Sequence, residues 1–262
     1  MEKLPANAGW LWIKQGFGLF RKQPIEMSTL FLSYMFLMLG FGLIPLLGQI
    51  LPLLLVPMFS IGFLQACADI EQGKRVQPKL LLTGFRSPAF RKLLGLGVLY
   101  LLAALIAVGA SSLVDGGVFW QAMSGQIALD AKTVQDSNMT MAMLFAAAVY
   151  LPAAMAFWYA APLIAWHDMG VGKAIFFSFF AVRRAGKAFL LYGLAWIGIG
   201  VLMPAMVSAL VGLLADTVAL TMVVLLPLSI VATVVMYCSF YATYTQMFGQ
   251  LSAPLDEAPP PD

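Results

Sequence analysis

Residues 27–68 read MSTLFLSYMFLMLGFGLIPLLGQILPLLLVPMFSIGFLQACA, 42 successive positions without Asp, Glu, Lys or Arg. One helix crosses the hydrocarbon of a bilayer with about 20 residues, so this run holds two crossings. Gly48-Gln49, flanked by Pro45 and Pro52, offers the tight turn between them. The rest of the chain agrees. Of 262 residues, 61% are hydrophobic and 10% are charged, against about 25% charged in a soluble domain. Too few polar side chains exist to cover a water-facing surface, so the surface faces lipid.

Four more uncharged runs follow, Leu93–Val114, Ser137–Trp166, Ala188–Ala215 and Thr217–Tyr244. The expected spans are about 27–46, 50–68, 93–114, 139–166, 188–213 and 217–244. The fold class expected is therefore all-α: a polytopic membrane helical bundle of six transmembrane helices in three hairpins, with interfacial helices on the cytoplasmic side. A single membrane domain covers 1–251, and the proline-rich, acidic segment 252–262 is a disordered tail. The first long apolar run begins only near position 27, and no small-residue cleavage site follows a short apolar core, so no cleavable signal peptide is expected.

A short aromatic-then-basic element precedes each expected hairpin. Gly16-Phe17 is followed by Arg21-Lys22, Gly84-Phe85 by Arg91-Lys92, and Ser178-Phe179 by Arg183-Arg184. Aromatic rings sink toward acyl chains while Arg and Lys stay among headgroups, so each copy reads as an elbow lying in the membrane interface. From Trp10 to Arg21 the helical spacing puts Trp10, Ile13, Phe17 and Phe20 on one face, with Lys14, Arg21 and Lys22 on another. Gly170–Arg184, rich in phenylalanine, is expected to be buried against other helices. Tyr237, Phe240, Tyr241 and Tyr244 read as an aromatic belt at the end of the last span, and Phe119-Trp120 as a dip into the opposite interface. Asp69 and Asp168 end inward helices, where an acid opposes the helix dipole; they either pair with nearby cations such as Arg91 or Arg183 or stand as solvated loop carboxylates.

Charge fixes an orientation. The N-terminus, the loops at 69–92 and 167–187 and the tail carry 14 of the 15 Lys and Arg residues, leaving Lys132 opposite. The positive-inside rule then puts both termini in the cytoplasm.

Catalytic signatures are weak. One histidine, His167, cannot make a metal cluster, and no phosphate-binding loop, nucleophile elbow or dinucleotide fingerprint occurs. The chain is expected to be no enzyme, to need no cofactor or metal, and to bind no nucleic acid, because its cations lie where anionic lipid would meet them. Cys67 and Cys238 are far apart in sequence and read as buried, inert thiols. Ionisable groups, which mark ion-coupled carriers, are almost missing from the spans.

The Gly9-Trp10-Leu11-Trp12 start, the Gly16-to-Lys22 element, Pro24 and the repeated elbows resemble a group of uncharacterised bacterial six-span inner-membrane proteins. These in turn resemble in layout the membrane domain attached to some glycerophosphodiester phosphodiesterases. The phosphodiesterase catalytic domain has no counterpart in these residues, so the resemblance implies no activity and no site residue. The functional expectation is a non-enzymatic, lipid-interacting or membrane-organising accessory protein of the inner membrane, with anionic membrane lipids as partners. Arg21, Lys22, Arg91, Lys92, Arg183 and Arg184 are the candidate headgroup contacts. The rival expectation is a transporter or channel for a small or amphipathic solute, with a polar cavity lined by Ser33, Tyr34 or Gln65.

Overall fold

The computed structural model describes residues 4–44, 47–127, 138–214 and 218–250. Expectations placed on Pro45, Lys132 and the tail lie outside these residues. Among the described residues the structure is all-α. Six segments are long and apolar enough to cross a membrane: Pro24–Gly42, Ile50–Glu71, Phe90–Asp115, Met139–Trp166, Gly186–Leu213 and Leu220–Phe248. Lipid offers no hydrogen-bond partner, so an uncharged run must satisfy its own backbone, and a helix is the local way to do so.

In chain order the helices are α1 (Ala8–Phe20), α2 (Pro24–Gly42), α3 (Leu47–Glu71), α4 (Thr83–Arg86, after a 3-10 turn at Pro78–Leu82), α5 (Phe90–Asp115), α6 (Val118–Met123), α7 (Met139–Phe157), α8 (Ala160–Trp166), α9 (Val171–Arg184), α10 (Gly186–Leu214) and α11 (Val218–Phe248). The first hairpin turns earlier than expected. Gly48 and Gln49 are already helical, in the first turn of α3. A side chain at Gly48 would meet Phe41 O at 2.6 Å, so the glycine lets α3 start hard against the end of α2.

The second helix of each hairpin ends on a left-handed residue: Gly73 after α3 (φ 72°), Asp168 after α8 (φ 49°) and Gly249 after α11 (φ 89°). After α3 the Lys74 N–H reaches back to Asp69 O at 2.8 Å, which occupies a carbonyl the helix leaves unpaired.

Contacts gather the chain into two units. The first comprises Met1–Leu37, Ile61–Thr83 and Arg184–Asp262, the second Met38–Ser60 and Gly84–Arg183.

In the first unit α1 is a packed helix. Its buried face is Ala8, Gly9, Trp12, Ile13, Gly16, Leu19 and Phe20. Gly9 lies against α10, where a Cβ would stand 2.2 Å from Ala188 O, and Gly16 lies against α11, where a Cβ would stand 2.5 Å from Ser239 N. Small residues seven apart let two helix backbones approach closely. Between them Trp12 is fully buried, its ring centroid 5.2 Å from Phe189 and 5.8 Å from Tyr192, its indole N–H donated to Gln246 Oε1. The expected face is thus half right: Ile13 and Phe20 turn inward, while Trp10 and Phe17 turn outward.

The expected aromatic belt of the last span also packs inward, in the same unit. Tyr241 and Tyr244 are buried, and the Tyr241 hydroxyl donates to Glu71 Oε2 at 2.9 Å. Tyr237 stacks on Phe63 at 4.1 Å. Rings serve a protein core as readily as a headgroup layer, which is why pattern alone misassigned them.

In the second unit the other two elbows dock by the same device as the first. At Gly84 a Cβ would lie 2.3 Å from Met58 O of α3. At Ser178 of α9 the hydroxyl accepts from Tyr159 N–H at 2.9 Å and donates to Met155 O at 3.0 Å. Those two backbone groups are i and i−4 partners of one helix, so the serine has inserted itself into their hydrogen bond. A side chain wedged into the ladder breaks a helix. Here it splits the fourth span into α7 and α8, and Pro162, lacking an N–H, relaxes the same turn. The buried stripe of α9 is Ala174, Ser178 and Val182; Phe176, Phe177 and Phe180 face outward, contrary to the expected burial of this segment.

At the far end of the second unit Asp115 closes α5 and opens α6. Its carboxylate accepts from Gly117 N–H at 2.9 Å and Phe119 N–H at 2.7 Å. Phe119 then packs with Met139, Ala142 and Ala146, while Trp120 stays outward.

Candidate functional site

The six expected headgroup contacts occupy equivalent places, where an elbow helix ends and a span begins. Arg21 and Lys22 follow α1, Arg91 and Lys92 open α5, and Arg183 and Arg184 close α9 just before α10. Five are exposed; Lys92 is half-buried. Lys92 Nζ meets Asp168 Oδ1 at 2.6 Å and also donates to Asp168 O at 3.3 Å. The cation that partners Asp168 is therefore Lys92, neither Arg91 nor Arg183. Asp69 instead accepts from the Gln65 side-chain amide at 2.9 Å.

The loop after α3 is held by one side chain. Gln23 donates to Lys74 O at 2.7 Å and accepts from Val76 N–H at 2.9 Å. Arg75 Nε lies 3.4 Å from Glu26 Oε1 beside it. These contacts keep a basic loop folded against the start of α2.

On α1 the spacing i, i+4, i+7, i+11 puts Trp10, Lys14, Phe17 and Arg21 on one stripe. Trp10 is 46% exposed and Phe17 is 48% exposed. Lys14 Nζ sits 5.9 Å from the Trp10 ring centroid and the Arg21 guanidinium 6.0 Å from that of Phe17. On α9 Lys173 sits 5.9 Å from the Phe177 ring in the same manner. A cation within about 6 Å of a ring face is attracted by its quadrupole, so rings and charges share a face here. The sequence pattern of apolar and basic residues puts them on separate faces, whereas the four-residue spacing of Trp10 to Lys14 and Phe17 to Arg21 brings each ring beside its cation.

Behind that stripe the first unit holds an apolar groove of about 480 Å³ between α1, α10 and α11. Trp10, Lys14 and Phe17 form one wall, and Trp196, Met203 and Val235 are among the residues opposite. A second hollow of about 490 Å³ continues along α10 and α11, sharing Ile199, Met203, Leu228 and Ala232 with the first. Nothing in the sequence reading anticipated either, because they arise where three distant segments meet.

The residues expected to line a polar cavity are otherwise engaged. Ser33 donates to Thr29 O of its own helix at 2.8 Å, and Gln65 is bound to Asp69. Tyr34 packs edge-on to Phe63 at 5.5 Å, within a group of rings that includes Phe31 and Tyr237. Cys67 and Cys238 are both buried free thiols, and they lie near one another. No group of three His, Cys, Asp or Glu side chains among the described residues could hold a metal ion.

A protein of Burkholderia thailandensis described as a probable inner membrane protein is 40% identical over 252 residues, an alignment that covers 94% of this chain and 93% of the relative. No family model and no solved structure matches the chain.

Proposed function

The chain belongs to the family of that probable inner membrane protein, and on this premise we propose that it is a non-enzymatic accessory protein that binds and organises anionic lipid from the cytoplasmic face. The observation that carries the reading is the recurrence of a basic pair at all three elbow-to-span junctions, five of the six cations being exposed. At headgroup depth each cation contributes on the order of 1 kcal/mol toward an anionic surface, so three pairs suffice to retain lipid. The engagement of Ser33, Tyr34 and Gln65 weighs against the transporter alternative. The likeness of layout to the membrane domain of some phosphodiesterases enters only as architecture; it brings no catalytic residue.

Native mass spectrometry of the purified protein tests the proposal. Replacing Arg21, Lys22, Arg91, Lys92, Arg183 and Arg184 by Gln is expected to strip co-purifying phosphatidylglycerol and cardiolipin. If the variant keeps as much anionic lipid as the parent, the proposal fails.

A further inference from the structure

The first elbow combines exposed cations seated over rings with a groove that those same rings line. Trp10 and Phe17 wall the groove, and Lys14 and Arg21 stand over them. The groove then runs down the α10/α11 seam. From Val235 to Met222 its α11 wall covers 13 residue steps, about 20 Å at the helical rise of 1.5 Å. One leaflet of hydrocarbon is about 15 Å deep. A volume of about 480 Å³ falls within the range of about 300–1,000 Å³ that takes one small ligand.

Depth, apolar walls and a basic rim select one kind of occupant. A zwitterionic lipid would find no anionic partner for its amine along this stripe, whose charged residues are Lys14 and Arg21. A phosphate with a net negative charge would find two cations one above the other. We propose that this groove is a specific site for one anionic phospholipid: an acyl chain fills it between Trp196 of α10 and Val235 of α11, the headgroup phosphate meets Lys14 at the groove wall, and Arg21, two turns along the same stripe, adds to the basic rim. The site rests on the lipid-binding reading above and adds to it a place, a stoichiometry of one, and a headgroup choice. Trp10 and Phe17 act as the collar through which the chain passes.

The test uses the whole protein in nanodiscs containing phosphatidylglycerol with a photoactivatable group at mid-chain. Adducts mapped by peptide mass spectrometry are expected on residues 196–203 and 228–235. Lys14→Gln with Arg21→Gln is expected to weaken retention of the last bound phosphatidylglycerol about 30-fold, from about 1 kcal/mol per cation. Ala232→Trp, which fills the groove, is expected to abolish the adducts with its melting transition kept, and the labelling of the parent carries the test should that variant fold poorly. Adducts spread evenly over all spans, or equal labelling by the phosphatidylethanolamine analogue, would overturn the site. If Arg91, Lys92, Arg183 and Arg184 variants shed lipid while the groove stays unlabelled, the general lipid-binding reading survives and the groove does not. Should neither set alter retention, both fall.

Discussion

Replacing Gly16 by Ala adds a single methyl group at the point where α1 meets α11. The new carbon would stand 2.5 Å from Ser239 N, 2.6 Å from Ser239 Cα and 2.7 Å from Ser239 Cβ. Carbon atoms rest at about 3.5–4.0 Å, so α1 must retreat by about 1 Å, and backbone atoms on the other side cannot rotate away. Overpacking of this kind costs about 1–3 kcal/mol. Alanine also gains up to about 1 kcal/mol over glycine in a helix interior, which blurs the single measurement. Gly18 supplies the control: it lies in the same helix with no atom within 4 Å of its would-be Cβ. Gly18→Ala takes the propensity gain without the clash, so the difference between the two variants isolates the clash, about 1–3 kcal/mol. At about 2–4 °C per kcal/mol for a chain of this size, Gly16→Ala should melt several degrees below Gly18→Ala. The readout is tryptophan fluorescence on heating in detergent, since Trp12 is fully buried in the same seam. If Gly16→Ala melts at or above Gly18→Ala, the close docking of α1 on α11 is wrong.

Other outcomes follow from the remaining contacts. Copper–phenanthroline should link Cys67 to Cys238, giving a shifted band on a non-reducing gel that disappears in Cys238→Ser; no link would mean that α3 and α11 do not meet there. Ser178→Ala should lower the melting transition, because it leaves two buried backbone groups to re-pair across a broken turn; each lost hydrogen bond contributes about 1 kcal/mol, and an unchanged transition would remove the wedge from the account. Asp115→Ala should cost about 1 kcal/mol by uncapping α6 and increase hydrogen exchange at Gly117 and Phe119, an increase whose absence would argue against the cap.

The spans were legible because the bilayer imposes one demand, internal backbone pairing over a fixed thickness, and an uncharged run of 42 residues answers it in only one way. The elbow repeat was legible too, but its meaning was not. Gly16, Gly84 and Ser178 looked like incidental partners of the phenylalanines; in the fold they are the contact points, chosen for smallness. Trp10 and Trp12 are two residues apart and chemically identical, yet one faces outward and the other is core. Only the docking of Gly9 and Gly16 decides which. The proximity of Cys67 and Cys238 and the groove below Trp10 depend on segments that lie far apart in the chain, which no local pattern encodes.

The account depends most on all three basic elbows facing the cell interior, and cysteine accessibility measures this directly. Gln72→Cys places a thiol in the exposed loop after α3, and Ser124→Cys places one at the exposed end of α6; the native thiols are buried. An impermeant maleimide applied to intact cells should label Ser124→Cys at once and Gln72→Cys only after the inner membrane is opened. Labelling of Gln72→Cys in intact cells, with Ser124→Cys protected, would contradict the account.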